Sequence, residues 1–84
     1  MSDYQPIACD IYTRYEMAVM HRTKLTLCWR GNDGLAHLET LLPEDLETRN
    51  GEEFLVARTV AGARLRLRLD RIMGMHGAEL QTVA

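Results

Sequence analysis

The chain has 84 residues, 46% of them hydrophobic, with 10 basic and 12 acidic side chains. That length makes one domain with a small core, and the composition is too apolar for a disordered tail. A formal net charge of −2 excludes the strong basic excess of a generic nucleic-acid binder.

Taken in chain order, residues 1–7 read as irregular or extended, because Pro6 pushes Gln5 out of helical backbone. Asp10 suits a helix N-cap. From 11 to about 20 the spacing predicts a short helix, with Ile11, Tyr15, Ala18 and Val19 on its apolar face. Tyr12 and Glu16 lie one turn apart on a neighbouring face and are less obviously used in packing. His21, at the end of this helix, reads as a partner for the helix dipole rather than a catalytic group.

Residues 24–30 alternate, with Leu25, Leu27 and Trp29 on one side, as a half-buried strand should. The run 31–34, Gly-Asn-Asp-Gly, is a turn by composition. A second strand is expected over 35–42, with Ala36, Leu38, Thr40 and Leu42 facing inward. Pro43 should close it and open a single helical turn over 43–46. Asn50-Gly51 marks a tight turn, and a third strand follows from about 52 to 59. A hairpin at 60–63 leads into residues 64–72, where Leu65, Leu67 and Leu69 alternate with Arg64, Arg66 and Arg68. A fifth short strand should run from 72 to about 75, bent near Gly74. Residues 77–84 show little pattern and read as a tail that frays or lies along an edge.

One helix followed by five short antiparallel strands gives a mainly β fold. Strands with one apolar side each must curl to enclose it, so the expected architecture is a small five-stranded antiparallel Sm-like barrel with the helix over one opening. The whole chain, 1–84, reads as a single domain.

Charge is distributed unevenly. Glu39, Glu44, Asp45, Glu47, Glu52 and Glu53 face only Arg49 within their stretch, whereas Arg58, Arg64, Arg66, Arg68 and Arg71 share theirs with Asp70 alone. An acidic and a basic region are therefore expected. On a strand, Arg64, Arg66 and Arg68 would stand about 6.6 Å apart, a spacing that could follow a phosphate backbone. With Arg58 they form the alternative, RNA-binding reading. Against it, Trp29 and Phe54 read as core residues, so no aromatic ring is interleaved for base stacking.

The two cysteines, Cys9 and Cys28, make no disulfide framework. No apolar leader and no run of membrane-spanning length is seen, so a cytoplasmic protein with reduced thiols is expected. Cys9, His21, Cys28, His37 and His76 lack the close pairing of zinc ligands, and no metal or other cofactor is expected. With no nucleophile elbow and no glycine-rich phosphate loop, neither catalysis nor a small-molecule substrate is expected.

The opening Tyr4-Gln5-Pro6-Ile7-Ala8-Cys9-Asp10-Ile11-Tyr12, with Glu16 and Ala18, resembles the Y-x-P-I-x-C-D-x-Y-x-x-x-E-x-A of the Rho-binding antiterminators, the Rof family. The likeness continues through His21, Leu25-Thr26-Leu27, Asp33-Gly34, Phe54-Leu55-Val56 and the run 67–72, and so covers residues 4–76. It implies an Sm-like fold. It also implies binding to the N-terminal RNA-binding domain of the termination factor Rho, which covers or distorts Rho's primary RNA site and reduces termination. The motif places Asp10, Tyr12 and Glu16 at that interface, and charge alone adds Glu44, Asp45 and Glu47. Direct binding of nucleic acid is not expected. Where family members often carry two further acids after the motif aspartate, this chain has Ile11 and Thr13.

Overall fold

In the computed structural model, which describes residues 5–76, one helix is followed by five antiparallel strands. The helix α1 spans Cys9–His21. The strands are β1 Leu25–Arg30, β2 Ala36–Arg49, β3 Glu52–Thr59, β4 Arg64–Arg68 and β5 Ile72–His76, and a 3-10 turn, Leu69–Arg71, separates the last two. The expected class, mainly β with an N-terminal helix, is the one the chain adopts. The tail expected over 77–84 lies outside the described residues.

Across the sheet the order is β4-β3-β2-β1-β5. Consecutive strands therefore sit at opposite edges only once, at the step from β4 to β5. A flat five-stranded sheet would be roughly 19 Å wide at about 4.8 Å per spacing. The three residues between β4 and β5 can span no more than about 14 Å. The sheet must curl until its edges approach, although no ladder joins β4 to β5 among the described residues.

The curl encloses Leu25, Leu27 and Trp29 of β1, Leu41 of β2, Leu55 and Ala57 of β3, and Leu67 and Leu69 after the last hairpin. Tyr15 and Ala18 of α1 pack on this cluster, with Ile11 and Val19 beside them. No buried polar or charged side chain interrupts it among the described residues. Truncating one of its fully buried leucines to alanine would cost about 2–5 kcal/mol.

Four local expectations are corrected. The first is the helix start, which lies at Cys9 with Ala8 as its N-cap, so no side chain caps it. Asp10 falls within the first turn, where its charge still meets the positive end of the helix. At the other end Arg22 takes a left-handed conformation (φ 55), and the amides of Arg22 and Thr23 reach back to Val19 and Ala18.

The second concerns β2, which does not stop at Pro43; residues 43–46 form no helical turn. Pro43 pairs with Ala57 and Asp45 with Val56, so Glu44 is the extra residue of a bulge. A bulge tolerates the amide that proline lacks, and Pro43 is buried there.

The third is the inward face of β2. Leu41, not Leu42 or Leu38, is the core residue, and Leu38 is 66% exposed. The register decides this: Leu41 lies opposite Leu25, and residues directly opposite share a face.

The fourth is the arginine–leucine strand, which ends at Arg68 rather than running to 72. Leu69 is still buried, but from the 3-10 turn. Phe54 is only half-buried, and the Arg66 guanidinium lies over its ring, 5.8 Å from the centroid.

The turn chemistry holds where backbone demands it. Asn50 and Gly51 both have positive φ, 53° and 79°, the pattern of a two-residue hairpin between Arg49 and Glu52.

Candidate partner-binding surface

The helix positions the first group of candidates. Tyr12 lies on the edge of the apolar stripe of α1, half-buried against the core cluster, and Glu16 stands exposed one turn further on. Glu53, from the start of β3, comes up beside the ring. Burial, and then the nearby charges of Glu53 and Glu16, raise the Tyr12 hydroxyl above its ordinary value. It therefore stays protonated at neutral pH and can both donate and accept a hydrogen bond. Tyr12 and Glu53 share a cavity of about 330 Å³ with Ile7, Cys9 and Thr13.

Asp10 is not part of that group. It precedes Tyr12 by two residues, about 200° around the helix, and shares its stripe with Arg14. Asp10 is exposed, and neither it nor Glu16 makes an ion pair among the described residues. Ile11 and Thr13, which follow Asp10 on the helix, are both engaged. Ile11 packs on the core, and the Thr13 hydroxyl donates to the carbonyl of Cys9 at 2.9 Å.

The β2 acids lie elsewhere and behave differently. The Glu44 bulge turns its carboxylate to Arg58, whose Nε donates to Oε2 at 2.9 Å, with Arg64 3.9 Å from the other oxygen. The hydrogen bond from Arg58 is the main reason that the Glu44 carboxyl is held below its ordinary value. Arg66 Nε is 3.2 Å from Glu47 Oε1, an ion contact without hydrogen-bond geometry. Asp45 remains exposed, and one of its oxygens accepts the amide of Leu46 at 2.8 Å.

The arginine row is correspondingly occupied. Arg68 reaches Asp70 through two donors, at 2.8 and 2.7 Å, and Glu52 at 3.6 Å. Asp70 also accepts the amide of Gln5 at 3.0 Å. Its carboxyl is held below the ordinary range, mainly by Arg68. So Arg58, Arg64, Arg66 and Arg68 each have a carboxylate neighbour. The expected separate acidic and basic regions are interleaved instead, because the β2–β3 and β3–β4 registers set their strands side by side.

Sequence reasoning did not single out Glu53 as a site residue. Its only signal was membership of the acidic run, and its approach to Tyr12 depends on how the helix is laid over the sheet. Among the described residues no three His, Cys, Asp or Glu side chains form a group that could hold a metal ion. Nor is any described helix long and apolar enough to cross a membrane.

No family model matches the chain. It is 38% identical over 80 residues to the protein named Protein rof of Escherichia coli K12, an alignment covering 95% of this chain and 89% of that protein. The Protein rof of Shigella flexneri matches with the same identity and coverage.

Proposed function

The chain belongs to the Rof family, and from that premise we propose that it binds the N-terminal RNA-binding domain of the transcription termination factor Rho. Bound there, it blocks the primary RNA site and inhibits Rho-dependent termination. It acts by occupancy, as a regulatory protein without an enzymatic step, in the cytoplasm where Rho works.

The observation that carries this reading is the helix flank, where Tyr12 shares a cavity with Glu53, has Glu16 one turn further along the helix, and feels the charge of both. A surface that binds RNA must be basic and must offer room for a base. An aromatic ring flanked by acids presents the same two features in protein form, negative charge and a flat apolar group. Opposite potentials would also speed the encounter. Asp10 adds charge from the other side of the helix. Glu44 and Glu47 already face arginines, so they and Asp45 take the secondary part.

The test is displacement. Titrating the protein into a complex of Rho and pyrimidine-rich RNA should release the RNA as the protein saturates. RNA that stays bound at saturation would end the antiterminator reading.

A further inference from the structure

A second cavity, of about 250 Å³, joins the β1–β2 turn to the start of β3 and the end of β4, next to the helix flank through the adjacent residues Glu53 and Phe54. Two aromatic rings line it, Trp29 and Phe54, together with Arg30, Arg66, Arg68 and Arg71. Neither ring was expected beside arginines: Trp29 closes the buried face of β1, and Phe54 lies on the outer face of β3. The curl of the sheet brings the two together at its rim.

The four arginines divide into pairs. Arg66 is balanced by Glu47 and Arg68 by Asp70 and Glu52, and these two act as walls, Arg66 lying over the Phe54 ring. Arg30 spends one donor on the carbonyl of Gly34, at 2.7 Å. Neither Arg30 nor Arg71 makes an ion pair among the described residues. Against the four arginines stand Glu47, Glu52 and Asp70, so the cavity wall keeps one net positive charge. Arg30 and Arg71 have donors to spare, even though Arg71 also bears on the Asp70 carboxylate. Trp29 stacks on His37, with ring centroids 5.5 Å apart and 17° between planes.

We propose that this cavity binds a nucleoside phosphate, either as a free mononucleotide or as one unit of a single strand. Arginine's planar fork matches a phosphate, and aromatic and guanidinium surfaces accept a base. The volume lies below the roughly 300–1,000 Å³ of sites for larger ligands, which suits one base and one phosphate rather than a dinucleotide. The site is distinct from the helix flank and does not rest on the binding of Rho.

Trp29 is the chain's one tryptophan and lines this cavity, so its indole N–H resonance is a single reporter beside the site. AMP, UMP, short single-stranded oligonucleotides and inorganic phosphate are each titrated at low salt. Nucleotides should move the resonance saturably, and the Arg30→Ser/Arg71→Ser double variant should bind them at least about tenfold more weakly. Strands that bind more tightly than mononucleotides would identify nucleic acid as the source; equal binding would identify the free nucleotide. No saturable shift, an equal response to inorganic phosphate, or an unchanged double variant would overturn the proposal. Should the double variant lose its cooperative melt, Phe54→Leu supplies the same comparison, with weaker nucleotide binding expected and unchanged binding counting against the site.

Discussion

Two charged regions of this molecule can be compared directly, the outer face of β2–β4 and the exposed side of α1. On the strands, arginine and carboxylate alternate in space, and Arg58, Arg64, Arg66 and Arg68 each lie within 4 Å of an acid. On the helix, Asp10 and Glu16 stand in solvent without such a partner among the described residues. The strand charges largely cancel one another's field, while the helix acids project theirs. Density of charge along the chain is therefore a poor guide to which surface is offered to a partner. Pairing across strands is what removes a charge from that role.

The sharpest way to break this contrast is to remove the most enclosed pair. Asp70→Ala should lower stability by about 2–3 kcal/mol, since it strips Arg68 of its two-pronged acceptor and Gln5 of its amide partner. In a domain this small that is a fall on the order of 10 °C in Tm. Thermal melts check it, and an unchanged Tm would make the pair as dispensable as an ordinary surface bridge. The same residue predicts an acid limb. Its folded-state pKa is lowered from 3.8, so its contribution is complete above that value. It is lost as pH falls through the lower, folded-state value. Asp70→Asn should flatten the fall of stability below about pH 4.

The helix side should respond in the reverse manner. Asp10→Lys with Glu16→Lys should keep the cooperative melt at a cost of about 1 kcal/mol, since only Asp10 gives up a favourable place in the first turn of the helix. Affinity for Rho's N-terminal domain should fall about tenfold or more, because two attractive contacts become repulsive. Retained affinity would move the interface off the helix. The smallest effect is expected for Glu44→Gln. That exposed pair with Arg58 is screened by water, so the melt should barely change, and added salt should erase what difference there is. A clear loss of stability would show that the bulge depends on its ion pair.

Much of the local structure could be read from residue order. The turns at Asn50-Gly51 and at 31–34, the bounds of β3, and the apolar stripe of α1 follow from properties of neighbouring residues, such as left-handed backbone or helical spacing. The errors lie where partners distant in sequence decide. Pro43 is a stop signal by itself, yet the chain runs on as a strand because a bulge opposite β3 absorbs its missing amide. The inward face of β2 was misjudged by one position, since an alternating strand fits either parity until Leu25 picks Leu41. In the same way Tyr12 and Glu16 were legible as a helical pair, whereas Glu53 joins them only through tertiary placement.

By itself, then, the sequence determined the class of fold, the helix with its leucine-lined core, and the motif at 4–18 that marks the family. Periodicity and turn chemistry are local, and local physics suffices for them. Tertiary structure alone decided which charges cancel and which remain available, and it alone brought Trp29 and Phe54 to one cavity with four arginines. Ion pairs and cavities are set by the register between strands and the curl of the sheet, and those depend on contacts between residues far apart in the chain.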